Sequence, residues 1–152
     1  MKDVNHTIAI LRDLTGLPAL ELNGNGHLEL IFDDKIAIDL IKIDDNHIEL
    51  SSPLDIADLN NLERLQTLLS ANYHGSGTGF ARIAIDRRDR SALICERIDV
   101  TPLDPGQFEA RLLNFVKYVA FWVSGEADEL LPPSDHNPSP TTTDPSLMVI
   151  RS

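Results

Sequence analysis

The chain has 152 residues, 42% of them apolar and 24% charged, with a formal net charge of −11. That length is one ordinary domain, able to bury about two-thirds of its unfolded surface, and the composition excludes a collagenous, disulfide-built or wholly disordered chain. The acid excess is uneven: residues 1–60 hold 12 acids and 4 bases, residues 61–104 hold 6 of each, and residues 105–152 hold 6 and 3. Such a surface repels phosphate backbones and anionic membranes, which argues against nucleic acid and membrane as partners. No apolar run approaches the ~20 residues of a membrane helix, and the N-terminus lacks a signal-peptide core. The one cysteine, Cys95, has no internal partner, which points to a reducing cytoplasm.

Residues 4–14 carry Val4, Ile8, Ile10, Leu11 and Leu14 at helical spacing, and Gly16 with Pro18 ends the helix. Asn23-Gly24-Asn25-Gly26 is turn chemistry. Three strand-like segments follow, His27–Phe32, Ile36–Ile43 and His47–Ser51. They are separated by the short polar turns Asp33-Asp34-Lys35 and Asp44-Asp45-Asn46, the pattern of an antiparallel meander. Leu62, Leu65, Leu68 and Leu69 return to the helical period over 61–72, with Asn60 as the expected N-cap and Glu63 three residues on. After Gly75-Ser76-Gly77-Thr78-Gly79, read as a flexible connector, come two more strands, Phe80–Asp86 and Ala92–Val100, joined by the charged turn Arg87–Ser91. Asp104-Pro105 opens the last helix, whose stripe Phe108, Leu112, Phe115, Val119 and Trp122 reads as core, and Gly125 is the expected stop. The order helix, three strands, helix, two strands, helix defines an α+β domain with an antiparallel sheet over residues 1–125. Residues 126–152 hold five of the nine prolines among serines and threonines and read as a disordered tail ending in the apolar Leu147-Met148-Val149-Ile150.

Catalytic, cofactor and metal signatures are lacking. The 75–79 glycine cluster follows a helix and opens a strand, whereas a phosphate loop must open a helix or end in Lys-Ser/Thr. His6, His27, His47, His74 and His136 have no metal spacing with one another or with Cys95. Asp33-Asp34 and Asp44-Asp45 sit in hairpin turns and do not make a calcium loop. Ser76 lacks the setting of a nucleophile elbow, and Cys95 reads as a small buried hydrophobe. The Asn5-His6-Thr7 sequon is idle without a secretion signal. An acidic two-layer domain with strand edges to cover and no catalytic constellation points to a protein that binds other proteins.

The stretch Leu68–Trp122 resembles the class I effector chaperones of type III secretion, the Tir chaperone family. The resemblance rests on Leu68-Leu69-Ser70-Ala71-Asn72, the glycine loop Gly75–Gly79, and the strand Ala81-Arg82-Ile83-Ala84-Ile85-Asp86. It continues in Leu103-Asp104 heading the last helix and in its Phe108, Phe115 and Trp122. Upstream, Leu14-Thr15-Gly16-Leu17 and the Asp-rich meander extend it over about 1–124. Phe80 departs from the pattern, which often has a second glycine there, and Arg87-Arg88-Asp89-Arg90 is more basic than usual.

The resemblance implies a homodimer, with Leu65, Leu68, Leu69, Ile83 and Ile85 as candidate interface residues. It implies a bacterial cytoplasmic chaperone that binds the N-terminal segment of a secreted effector, keeps it soluble and delivers it to the secretion apparatus. The system's ATPase is then a further partner, and no cofactor and no catalysis are involved. Ile10, Leu14, Leu28, Leu30, Ile36 and Ile38 are the candidate effector-binding residues, each filled apolar pocket contributing ~1.5–3 kcal/mol. Two other readings are a regulator or adaptor of the same fold outside secretion, and a small enzyme built on scattered residues such as Arg82, Asp86 and His74.

Overall fold

A computed structural model of the chain describes residues 1–131. Its elements are α1 (Val4–Thr15), β1 (His27–Phe32), β2 (Ile36–Lys42), β3 (His47–Leu54), α2 (Leu62–Ala71), β4 (Arg82–Asp86), β5 (Ser91–Asp99) and α3 (Pro105–Val123). The five strands form one antiparallel sheet in the order β1-β2-β3-β5-β4, so β1 and β4 are its edges. The α+β class, element order and antiparallel pairing agree with the sequence pattern.

Local chemistry sets the boundaries. Asp33 and Asp34 both take positive φ, the twist a tight β1–β2 hairpin requires. Asp3 caps α1 by accepting from the His6 N–H, and Gly16 ends it at φ 66°. Asp104 and Gln107 form a full capping box on α3, with Pro105 in its first turn. At α2 the cap is Asn61 rather than Asn60, its side chain accepting from the Glu63 and Arg64 N–H groups. β3 runs on to Leu54 through Pro53, which pairs with Leu93. Proline is tolerated there because β2 pairs with β3 only as far as Ser51, and Ser52 Oγ donates to the Ala37 carbonyl beyond it. β4 starts at Arg82, two residues later than the alternation suggests, because Gly79 (φ 63°) and a turn bond from Ala81 N–H to the Thr78 carbonyl precede it.

Register assigns the two faces of the sheet. Leu30 pairs with Ile38, Leu40 with Leu50, Ile48 with Ile98 and Ile83 with Ile94, and all of these point to one side. They form one core with Val4, Ile8 and Leu11 of α1, Leu68 and Ala71 of α2, and the Phe108–Trp122 stripe of α3. The other face carries polar pairs, His27 with Asp39, and Glu49 with both Arg82 and Arg97. Cys95 is buried beneath that second cluster, and burial pushes its thiol up.

Two loops are more ordered than composition suggests. The 75–79 cluster packs against α3 rather than hanging as a loose connector. Trp122 Nε1–H donates to the Gly77 carbonyl at 2.8 Å, and Thr78 is fully buried. A side chain at Gly77 would meet the Ala71 Cβ at 2.9 Å. The chain also stays with the core beyond 125. A short 3-10 helix, Glu126–Leu130, buries Ala127, so the folded body extends past the expected 125/126 boundary. Residues 132–152, with the expected tail and its Leu147-Met148-Val149-Ile150, lie outside the described residues.

Candidate functional site

The six candidate groove residues divide. Leu30 (7% exposed), Ile36 and Ile38 (0%) lie on the helix-covered side and fill the chain's own core. They are not groove residues in this fold, because the face that Leu28, Leu30 and Phe32 share turns toward the helices. Ile10 and Leu28 are half-buried, and Leu14 is exposed. Two further exposed apolar residues belong with them, Leu17 after α1 and Ile31 (62% exposed) on the outward side of β1. Alternation contained Ile31 all along, but its neighbours Glu29 and Phe32 gave no sign that this face stays uncovered.

Topology gathers this surface around the β1 edge. α1 starts beside the β2–β3 turn, where the Val4 N–H donates to the Asp45 carbonyl. The chain then returns to the same end, since His27 pairs with Ile41. The returning segment is fastened by Arg12, whose Nε and Nη2 both donate to the Leu20 carbonyl at 3.1 and 2.9 Å. A cavity of about 210 Å³ opens between them, lined by Asn5, Ile8, Arg12, Glu21 and Leu22. The arrangement offers shallow apolar contacts beside a row of backbone donors and acceptors, in the most acidic third of the chain.

The five candidate interface residues also divide. Leu68 and Ile83 are buried in the chain's own core. Leu65 is half-buried, and Leu69 and Ile85 are exposed. With Leu62 and Tyr73 the exposed members make a stripe along the outer side of α2 at spacings of 7 and 4, next to the free edge of β4. Leu59, Leu65 and Ile85 line a second cavity of about 260 Å³ with Asn60, Arg87 and Arg90.

No group of three or more potential metal ligands occurs among the described residues. The residues proposed for a scattered catalytic site are engaged separately. Arg82 pairs with Glu49, Asp86 with Arg88, and the His74 ring packs edge-on against Tyr73. Among the described residues the one buried acid is Glu96, held by Arg111, its carboxyl pushed up by burial, with the Phe80 ring 4.3 Å from the Arg111 guanidinium carbon. No helix of the described residues is long and apolar enough to cross a membrane.

The sequence of residues 6–123, which builds these three helices and five strands, matches the family model of the Tir chaperone protein (CesT) family. The chain belongs to that family. No curated protein matches the sequence significantly. Among solved structures, the ExsC-ExsE complex contains a chain 24% identical, with a TM-score of 0.65 over 80% of this chain and 91% of that one. The type III secretion chaperone SycH of Yersinia pestis, solved with a fragment of YscM2, is 19% identical, with a TM-score of 0.60 over 77% of this chain and 97% of that one. YbjN of E. coli, described as a putative transcription regulator, is 20% identical, with a TM-score of 0.57 over 82% of this chain and 95% of that one. These identities carry the fold. The family match makes this chain a type III secretion chaperone of the Tir class.

Proposed function

We propose that the chain acts as a homodimer in the bacterial cytoplasm, binding the N-terminal segment of a secreted effector and keeping it soluble and competent for delivery. The observation that carries this reading is the exposed apolar set Leu14, Leu17 and Ile31 beside the open edge of β1. An extended segment can add backbone hydrogen bonds to that edge and seat apolar side chains next to it, without a folded partner surface. Each Leu or Ile so buried contributes ~1.5–3 kcal/mol, so three of them supply about 4.5–9 kcal/mol toward the ~8 kcal/mol of micromolar binding, with the edge hydrogen bonds adding to it. The 12 acids of residues 1–60 favour a segment carrying lysine or arginine and speed its encounter. Dimerisation uses the half-buried Leu65 with the exposed Leu69 and Ile85, while hand-over to the secretion ATPase completes the cycle without chemistry on this chain.

The test is protease protection. A bound effector should be spared over one N-terminal segment only in the presence of this chain, and Leu14→Asp should abolish the protection while leaving the chaperone folded. Protection unchanged by Leu14→Asp would place the contact elsewhere. The reading as a regulator outside secretion draws on the likeness to YbjN. It predicts a folded protein partner and no protected effector segment.

A further inference from the structure

Tyr73 is the most exposed apolar side chain in the described residues, at 73%. It is also rigidly placed. Asn72 Oδ1 accepts from the Ile83 N–H at 2.7 Å and its Nδ2 donates to the Ile83 carbonyl at 3.2 Å, which fastens the end of α2 to β4. His74 then turns the chain with a φ of 53° and packs edge-on against the Tyr73 ring. Histidine enters this left-handed region more readily than most residues, and here the turn leaves an aromatic ring outward.

The cavity lies at the opposite end of the same helix, lined by Leu59, Asn60, Leu65 and Ile85. At about 260 Å³ it is smaller than the pockets that take drug-sized ligands and suits one large side chain. Arg87 and Arg90 stand at its rim. Arg88 is taken by Asp86, but no carboxylate of the described residues pairs with Arg87 or Arg90. Two unpaired guanidinium groups beside the apolar Leu59, Leu65 and Ile85 side chains fit an aromatic ring bearing a hydroxyl: the ring face attracts the cation and the phenol oxygen accepts its N–H.

We propose that this cavity receives Tyr73 of a second copy of this chain. When the two-fold axis runs across the α2 helices, the C-terminal end of one lies against the N-terminal end of the other, so Tyr73 and the cavity meet twice, once in each direction. The proposal rests on the homodimer reading above and deepens it by naming the residue that fixes partner choice. Leu62 and Leu69 lie between the two contacts on the same stripe and supply unspecific burial. Tyr73 and the arginine pair set the register.

Sedimentation of three proteins and one mixture tests this. The full chain should be a dimer. Tyr73→Ala keeps the cavity and lacks the key, and Arg87→Glu/Arg90→Glu keeps the key and spoils the cavity. Both changes are at exposed positions, and circular dichroism checks that each variant is folded. Each variant alone loses both contacts and should dissociate at least about tenfold more readily. Mixed, they retain one intact contact, so heterodimers should exceed the twofold excess over each homodimer that random pairing gives, and should dissociate less readily than either variant alone. A wild-type dimer unchanged by Tyr73→Ala would overturn the key while leaving the homodimer in place. Two weakened variants that fail to complement would overturn the pairing of Tyr73 with this cavity. A wild-type monomer would overturn the homodimer reading itself.

Discussion

Replacing Arg111 by methionine isolates the energetics of the one buried carboxylate in the sheet. Glu96 is 1% exposed on the helix-facing side of β5, its Oε1 accepts from Arg111 Nε, and its Oε2 has no hydrogen-bond partner among the described residues. Removing the partner of a buried charge costs about 3–5 kcal/mol. The Arg111 side chain is 30% exposed, so water reaches the pair and about 2–3 kcal/mol is the expected loss. For a domain of this size that lowers Tm by about 6–9 °C. The pH dependence has a definite sign. Burial raises the Glu96 carboxyl above its ordinary value, so the folded state holds the proton to higher pH than the unfolded state does. The stability from that proton is present below the unfolded pKa and is lost as pH rises through the raised one. Without Arg111 the carboxyl rises further, so the variant's deficit is largest at neutral pH and shrinks toward about pH 5. Glu96→Met/Arg111→Met removes both charges and should return to within about 1 kcal/mol of the parent. Thermal denaturation by circular dichroism at one fixed protein concentration reads all three proteins. A neutral Arg111→Met at pH 7, or a deficit independent of pH, would refute the reasoning.

Other substitutions separate core from surface. Leu30→Asp buries a carboxylate beside Ile38 and should unfold the domain, losing more than the ~2–5 kcal/mol of a Leu-to-Ala change, whereas exposed Leu14→Asp should leave Tm within about 2 °C. Gly79→Ala meets both a φ of 63° and the Tyr118 ring, so denaturant titration should show a loss of about 1–3 kcal/mol. Cys95 is buried with its thiol pushed up, so a thiol reagent should react about a hundredfold faster in denaturant than with the native protein, and equal rates would contradict its placement.

Much of this architecture is legible in the residues because local signals agree. The Asp104-Pro105 cap, the five-residue α3 stripe and the polar hairpin turns each specify one conformation. With two adjacent asparagines at 60–61, the sequence places the α2 cap one position early, at Asn60, since either side chain can accept from the first turn. Facing was harder. Alternation divides Leu28, Leu30, Ile36 and Ile38 from Ile31 but does not say which side the helices cover, so half of the candidate groove proved to be core. The same limit hid Glu96, a charged residue on the buried side of an alternating strand, whose partner lies 15 residues away on α3. Tyr73 continues the Leu62–Leu69 spacing past the end of α2, a signal that the glycine loop immediately after it obscured. Ala127 is buried by a single 3-10 turn that composition alone does not mark.

The most direct test of the chaperone reading is co-expression of the chain with its neighbouring reading frames, followed by pull-down, sizing and limited proteolysis. The account predicts a complex of two copies of this chain with one partner, whose N-terminal segment resists protease only while bound. A clean dimer that captures no neighbour would contradict it.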